Sequence, residues 1–359
     1  MGSANQIERL RAAWVGRASG CQLGKAVEMF SMQEGQPALA AYLEEARALP
    51  LRDYIPHVEG SAIDRYPWVS CCQGKFDAIA PDDDIHYSTL ALIMLEKHGL
   101  DLSTEDVART WLNLLPVGMT FTAERAAYRI LLERGHEWFA QGAAPGFDVT
   151  ECADNPFNDW IGAQIRADVY GWVCPGRPDV AAELVRRDAA LSHRDDGIHG
   201  AVFVAAMGAL LWEADDMNKA IAEAAGFIPA DSRSAEAIEL ALQVAGEGGD
   251  QKIREYYDGM SPVHVLNNLA LVVWALTTHA QDFSAAIGDV TAAGLDTDCN
   301  AATVGGLLGL WHGEVPDHWL KPWNGRIELA LAGHDKVDLE DLVQRTSAVT
   351  DNIRTALAA

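Results

Sequence analysis

The chain has 359 residues, 49% of them hydrophobic, and can bury a large core as one sizeable domain. Its 27 basic and 52 acidic residues give a formal net charge of -25, which argues against nucleic acid and anionic membranes as partners. The six cysteines form no regular framework and no apolar run approaches the ~20 residues of a membrane span, so we expect a cytoplasmic protein with reduced thiols.

The first predicted helix covers 7–19, where apolar residues repeat at helical spacing. A glycine-containing turn is predicted to follow it and to lead to Glu28. Gly16, Gly20 and Gly24 recur every four residues, which on a helix produces a smooth stripe suited to close packing. Glu28 is the only acid near this stretch, and from the residues alone it fits either a solvated surface or a functional site.

Residues 29–80 carry mixed signals, because a short predicted helix at 39–49 precedes several prolines and glycines in quick succession. We predict an irregular loop region here. Long loops in compact domains are usually functional, so 29–80 is expected to fold over a site as a lid.

Three consecutive aspartates, Asp82, Asp83 and Asp84, open a strong helix predicted over 85–98. One could cap the helix and two could be solvated, but the apolar residues on either side indicate a largely buried helix start. Buried acids need a partner, and a metal ion supplies one.

Asp296 and Asp298 lie two residues apart, before a helix that is predicted over 301–311 and is rich in small and apolar residues. The helix dipole favours carboxylates there, yet two so close together repel each other unless a positive group lies between them or one takes a proton. A divalent cation would remove the repulsion. The alternative is an ordinary N-cap role for an aspartate.

Further helices are predicted at 103–115, 123–134, 180–192, 202–212, 217–227, 235–247, 263–280, 283–293 and 337–355, and no stretch is typical of a strand. Glycine-containing turns are predicted at 171–176, 197–200 and 246–249. The expected fold is all-α, a compact orthogonal multi-helix bundle that forms a single domain over 1–359.

A later segment combines Asn, Asp, Trp, Arg and Gly in a way that indicates ligand binding. Arg166 could bind a phosphate or carboxylate through two hydrogen bonds, and Trp160 or Tyr170 could stack on a flat base. The alternative is a structural arginine that pairs with Asp168 or Asp188.

These motifs, in this order and at these distances, resemble the ADP-ribosylglycohydrolase family over most of the chain. The stretch from Gly16 to Glu28 is similar to the family's N-terminal glycine-rich helix and turn, which ends in a glutamate. Asp82-Asp83-Asp84 is similar to its Thr-Asp-Asp-Thr metal motif, Gly162-Ala-Gln-Ile-Arg166 with Gly171 to its substrate segment, and Gly294-Leu-Asp-Thr-Asp-Cys-Asn300 to its second metal motif.

The resemblance implies two Mg²⁺ or Mn²⁺ ions at the mouth of a cleft in a compact all-α fold, and carboxylate oxygens suit both ions. It implies metal ligands at Asp82, Asp83, Asp84, Asp296, Asp298 and Cys299, and catalytic roles for Asp298, Asp83 and Glu28. For the substrate it implies contacts from Glu28, Gly162, Arg166 and Gly171. The residue types add Trp160, Tyr170, His193 and His199 as further candidates, although a histidine at a helix C-terminus, such as His193, can also serve only as a favourable partner of the helix dipole.

The implied function is hydrolysis of the glycosidic bond between ADP-ribose and an acceptor, either a protein side chain or a small metabolite. Three residues depart from the family's motifs, since Asp82, Ile85 and Cys299 each stand where the family usually has Thr. These departures leave open a glycosidase for another ribosylated small molecule, such as a nucleoside or nucleotide. A non-catalytic ligand-binding or structural protein on the same fold is the third reading, although every expected acid is present.

Overall fold

The computed structural model describes residues 3–135, 138 and 144–359, and the regular secondary structure of this part of the chain is mostly α-helical. The helices are α1 (Ser3–Lys25), α2 (Glu28–Glu34), α3 (Gln36–Glu45), α4 (Asp83–His98), α5 (Thr104–Leu114), α6 (Thr122–Arg134), α7 (Asp168–Trp172), α8 (Pro178–Ala189), α9 (Asp195–Leu210), α10 (Met217–Ala225), α11 (Arg233–Gln243), α12 (Gly249–Tyr256), α13 (Val265–Thr278), α14 (Phe283–Ala292), α15 (Thr297–His312), α16 (Asp317–Leu320) and α17 (Leu339–Ala358). The predicted all-α class is confirmed.

Most predicted helices lie within a few residues of their observed bounds, but α1 does not end where it was predicted to end. It continues through Gly20 and Gly24 to Lys25. The glycines stay helical because they are in close contact with the backbone of α15. An added Cβ on Gly20 would lie 2.1 Å from the carbonyl oxygen of Ala301. The predicted stripe for close packing is confirmed, and the predicted turn before residue 25 is wrong.

The segment predicted as loop and lid divides into two parts. Its beginning forms α2 and α3, and residues 46–82 are irregular apart from two short 3₁₀ turns, Ala62–Arg65 and Pro67–Cys71. The irregular part is packed into the core rather than detached from it, since the Tyr54 hydroxyl donates to the carbonyl oxygen of Trp319 at 2.7 Å. Movement of this segment as a lid stays a prediction.

Two other sequence expectations were wrong at the level of secondary structure. Strands β1 (Arg326–Leu331) and β2 (His334–Asp338) form an antiparallel hairpin where no strand was predicted. The predicted turn at 197–200 lies inside α9, where packing in the fold outweighs the local preference of glycine for turns. The predicted turn at 246–249 is confirmed at 246–248, directly before α12 begins at Gly249.

No helix within the described ranges combines the length and apolar character that a bilayer-spanning segment needs.

Candidate functional site

The site is built where the C-terminal end of α1 meets the N-terminal end of α15. The Thr297 hydroxyl donates to the carbonyl oxygen of Gly24 at 2.8 Å, which ties the first turn of α15 to the last turn of α1. A Cβ on Gly24 would lie 2.3 Å from the backbone of Thr297 and Asp298, so only glycine permits this approach. The N-terminus of α4 lies against the same corner, because the Arg17 side chain of α1 donates to Asp84 at 2.9 Å.

The two acidic motifs meet at this corner, as their resemblance implied. Single ligand atoms of Asp84, Asp298 and Cys299 lie within 4.8 Å of one another, and so do those of Glu28, Asp296 and Asp298. Two further groups satisfy the same criterion, Cys21 with Asp82 and Asp298, and the three residues Asp82, Asp83 and Asp84. These acidic clusters could hold metal ions, and Asp298 belongs to three of the four groups.

Asp82 differs from the other acids, because both of its oxygens have protein partners. Oδ1 accepts the backbone N–H of Asp84 at 2.9 Å and so caps α4. Oδ2 accepts from the Lys25 ammonium, and both side chains are buried. The structure thus gives Asp82 the capping role that was the alternative in the sequence analysis, together with an ion pair that the sequence analysis did not foresee.

Three other carboxylates keep a free oxygen. Oδ2 of Asp84, Oδ1 of Asp296 and Oδ1 of Asp298 are buried without a hydrogen-bond partner among the described residues. An unpartnered buried carboxylate oxygen is unfavourable, and a bound cation would satisfy it. Asp83 is only half-buried and lies at the more open side of the cluster.

The pKa values also separate Asp82 from the other acids of the cluster. Burial raises the pKa of Asp298 to about 6, with Asp82 adding to the rise and Lys25 opposing it. Burial and neighbouring carboxylates also raise the pKa of Glu28, Asp84 and Asp296 well above their usual values. Burial works in the same direction on Asp82, but Lys25 overcomes it and lowers the pKa.

Arg17 lies next to the acidic cluster and binds Asp84. Its guanidinium is fully buried and donates to the Asp168 carboxylate at 2.7 Å, to the Ser88 hydroxyl at 2.6 Å and to the backbone of Ile165. The charge of Asp84 is therefore partly compensated on one side while its other oxygen stays unpartnered. Asp168, a candidate partner of Arg166 in the sequence analysis, pairs with Arg17 instead.

Arg166 is not available to a substrate in this structure. It is 1% exposed, and its five N–H groups have protein acceptors that include Asp188 at 2.5 Å, Glu124 at 2.7 Å and Ser192 at 2.9 Å. A guanidinium so completely bonded is a structural element. The substrate role implied by the resemblance is corrected in favour of the alternative pairing with Asp188.

Three neighbours of Arg166 also have packing roles. The Tyr170 hydroxyl donates to Asp188 at 2.6 Å and its ring is fully buried, so it cannot stack on a base. A Cβ on Gly162 would lie 2.2 Å from the Glu124 carboxylate, and one on Gly171 would lie 2.4 Å from the backbone of α9. These glycines permit close contacts within the protein.

The remaining predicted substrate residues lie at different depths. Trp160 is half-buried and packs edge-on against the ring of Phe157, 4.8 Å between centroids. His193 is fully buried and shares a hydrogen bond of 2.8 Å with the Ser192 hydroxyl. His199 lies nearer the surface, 3.5 Å from Asp196. Trp160 and His199 keep the exposure that contact with a substrate requires.

A groove of about 810 Å³ lies near the start of α15, and none of the acids of the cluster lines it. It is reached from the turn before α15, because Leu295 lines it and directly precedes Asp296. Its walls come from α2, α3, α12, the loop after α12 and α13, and include Ser31, Met32, Gln36, Tyr257, Met260 and Asn267. Helix α2 therefore carries Glu28 toward the acids and Met32 toward the groove.

Four residues of the site were missed by the sequence analysis: Arg17, Lys25, Asn268 and Asn300. Asn268 accepts from the Asn300 side chain at 2.7 Å and from the backbone of Asp296 at 3.3 Å, which fixes the start of α15. Lys25 could have been found from the sequence, because it is a basic residue inside the stretch from Gly16 to Glu28, three positions before Glu28. Asn268 has none, since it lies in an otherwise apolar helix far from both acidic motifs.

Comparison with known proteins agrees with this geometry. Residues 2–352 match the model of the ADP-ribosylglycohydrolase family. A solved structure described as an ADP-ribosylglycohydrolase-related protein complex covers 98% of this chain and 99% of its own, with 17% identity and a TM-score of 0.57, and supports the fold alone. No curated protein matches the sequence. The chain belongs to the ADP-ribosylglycohydrolase family.

Proposed function

We propose that the protein is a metal-dependent hydrolase that cleaves the glycosidic bond between ADP-ribose and an acceptor. The acceptor is a protein side chain or a small metabolite. The observation that carries the proposal is the set of unpartnered, buried carboxylate oxygens on Asp84, Asp296 and Asp298, in a chain whose family cleaves this class of bond.

These residues fit a divalent cation of the Mg²⁺ or Mn²⁺ type. Both ions prefer carboxylate oxygens. Asp84 and Asp296 belong to two different groups that both include Asp298, and within each group the ligand atoms lie within 4.8 Å of one another. Such an ion, when bound, would hold ribose hydroxyl groups and offset the mutual repulsion of the carboxylates. The thiol of Cys299 is the softest group of the set and the weakest ligand for these ions.

The side chains around the free oxygens supply the rest of the chemistry. Cleavage of a glycosidic bond passes through a cationic, oxocarbenium-like state, and a ring of carboxylates beside the ribose stabilises it. Asp298 or Asp83 accepts the proton of the attacking water. Glu28, at the N-terminus of α2, lies against Asp296 and Asp298 and helps to orient the bond that breaks.

The groove beside Leu295 is proposed to receive the part of the substrate that projects away from the ribose. Leu295 in its wall directly precedes Asp296, and the groove is large enough for a ligand of drug size, since such sites typically measure about 300–1,000 Å³. Met32, Tyr257 and Met260 offer it apolar surface, whereas Gln36 and Asn267 offer hydrogen bonds.

The test is a substrate panel with purified protein and Mg²⁺ or Mn²⁺: ADP-ribosyl-arginine, ADP-ribosyl-serine, O-acetyl-ADP-ribose and simple nucleosides. We expect release of ADP-ribose from at least one of the first three, abolished by EDTA. Release of a free base from the nucleosides alone would instead establish the alternative glycosidase. Absence of turnover on the whole panel, with the ion bound, would contradict the proposed function.

A further inference from the structure

Lys25 places a positive charge inside the acidic cluster. Its ammonium binds Oδ2 of Asp82, and Asp82 shares one of the candidate cation-holding groups with Cys21 and Asp298. The Lys25 and Asp82 side chains form a buried ion pair, so the charge of Lys25 lies directly beside the carboxylates. A buried ammonium among these acids occupies the place where a metal ion would otherwise compensate them.

The position of this ammonium is fixed on every side. The Lys25 side chain is 5% exposed, and its Nζ lies 4.1 Å from the centre of the Trp68 ring, a favourable cation–π distance. Lys25 is also the last residue of α1, whose preceding turn is held against α15 by Gly24. It is therefore not a surface lysine that can swing away when an ion approaches.

The acids on the side of the cluster away from Lys25 have different surroundings. There Oδ1 of Asp296 and Oδ1 of Asp298 have no hydrogen-bond partner among the described residues, and these two residues form a candidate cation-holding group with Glu28. Asp82, next to Lys25, keeps no unpartnered oxygen. One half of the cluster is neutralised by the chain itself, and the other half is left for an ion.

We propose that Lys25 takes the place of one of the two divalent cations, so that the folded chain binds a single ion. Lys25 neutralises Asp82, Arg17 pairs with Asp84, and the ion binds to Glu28, Asp296 and Asp298, whose ligand atoms lie within 4.8 Å of one another. The physical reason is charge repulsion, because a second divalent ion near Asp82 would lie beside an ammonium that has no room to move. This inference rests on the proposed metal-dependent function, but concerns the number of ions and not the reaction.

The test is the number of Mn²⁺ ions bound per chain, measured by equilibrium dialysis with elemental analysis. We expect one for the wild-type protein and two for Lys25→Met, which removes the charge and keeps a chain of similar length. Lys25→Arg retains the charge and should bind one. Lys75→Met, which removes a lysine from the irregular segment outside the cluster, should also bind one.

Electron paramagnetic resonance of the Mn²⁺-loaded wild-type protein is a second measurement of the number of bound ions, and it needs no variant. We expect the spectrum of isolated Mn²⁺ rather than that of an exchange-coupled pair. Two ions in the wild-type protein, a coupled-pair spectrum, no bound ion, or a single ion in folded Lys25→Met would each overturn the inference. One bound ion without hydrolysis of any substrate would contradict the proposed function and leave the role of Lys25 standing.

Discussion

Asp82 and Asp298 are buried aspartates at the starts of two different helices, yet their side chains have opposite surroundings. Asp82 is fully engaged by the backbone of α4 and by Lys25, whereas Asp298 keeps a free oxygen and belongs to three overlapping groups of possible ligands. The residue type alone does not distinguish them. Their different partners make Asp298 the better candidate for chemistry and Asp82 the better candidate for positioning.

Replacement of Asp298 with Asn should leave a folded protein that turns over slowly. The change is nearly isosteric, but it removes the carboxylate that would accept a proton from water. General-base assistance contributes about 10²–10⁴-fold, so we expect kcat to fall by at least about a hundredfold. Steady-state kinetics on the substrate identified by the panel, with circular dichroism for folding, measures both.

Asp282→Asn is the matched control, because Asp282 caps α14 through the backbone N–H of Ala285 and lies at a helix start outside the acidic cluster. It should keep near wild-type turnover. Cys299→Ser provides a second comparison, since a hydroxyl restores the family's usual group, and activity should be unchanged or higher. Near wild-type turnover by Asp298→Asn with the ion bound would exclude the proposed role of Asp298.

Replacement of Arg166 with Ala should act on stability, because it leaves the buried acids Glu124 and Asp188 without their counter-ion. Breaking a buried pair in this way costs about 3–5 kcal/mol. Urea unfolding measures the loss. Arg177→Ala removes an exposed arginine paired with Asp179 and should change stability by less than about 1 kcal/mol. A stable Arg166→Ala protein whose only defect is a raised KM would restore the substrate role.

At the scale of elements, the contact between α1 and α15 determines where the acids lie. The two helices approach so closely that a Cβ on Gly16 would lie 2.0 Å from the Gly305 carbonyl oxygen, and one on Gly309 would lie 2.2 Å from that of Ala12. Small residues on both faces bring the first turn of α15 to the last turn of α1. The positions of Asp296 and Asp298 therefore depend on small residues that lie outside the acidic cluster.

Gly20→Ala tests this dependence. The new methyl group would meet the backbone of Ala301, which cannot rotate away, and overpacking of this kind costs about 1–3 kcal/mol. We expect lower stability to urea and weaker Mn²⁺ binding, because α15 must shift. Gly118→Ala adds the same methyl group where no atom lies within 4 Å and should stay within about 0.5 kcal/mol of the wild type. Equal effects of the two changes would refute the packing argument.

The helices were predictable from the sequence because their apolar residues repeat with helical spacing over long stretches, as in α4 and α13. The hairpin was not, although the residues of β1 do alternate between exposed and buried positions. Its six residues are too short to separate from a helix turn by pattern, and the strand is fixed by distant contacts, including the bridge from Ile79 to Ile327.

The candidate site was predictable in part for a similar reason. The two acidic motifs are local features, and their meeting followed from the family resemblance. Asp188 was one of the two partners that the sequence analysis offered for Arg166, and the structure confirms that pairing. The pairing of Lys25 with Asp82 and of Arg166 with Glu124 was not predicted, since these partners lie 57 and 42 residues away in the chain. Whether a buried arginine contacts ligand or protein is decided by such tertiary contacts.

At the scale of the whole molecule, burial of ionisable groups makes stability depend on pH. His193 is fully buried, and burial, assisted by the nearby Arg166, lowers its pKa well below the ordinary value of 6.5. Its contribution to stability is complete above pH 6.5 and is lost as the pH falls below that value, because the unfolded chain then takes up a proton that the folded chain does not.

His193→Gln should flatten this dependence. For the wild type, this one residue lowers the free energy of unfolding by about 1.4 kcal/mol per pH unit below pH 6.5. Urea unfolding at several values between pH 5 and pH 7.5, on both proteins, measures the difference in slope, and the other histidines cancel in the comparison. Parallel slopes for the two proteins would show that His193 is protonated in the folded state.

The pairing of the first long helix with one near the end of the chain has a consequence for biosynthesis. The Thr297 hydroxyl meets the carbonyl oxygen of Gly24 across 273 residues of sequence. At a synthesis rate of about 5–20 residues per second, the ribosome needs roughly 14–55 s to add those residues. Throughout that interval the face of α1 that carries its glycines has no α15 to pack against. The corner that holds the acidic cluster can form only when α15 has been made, so if the proposed ion binds there, its binding would distinguish a chain that has passed this point from a nascent one that has not.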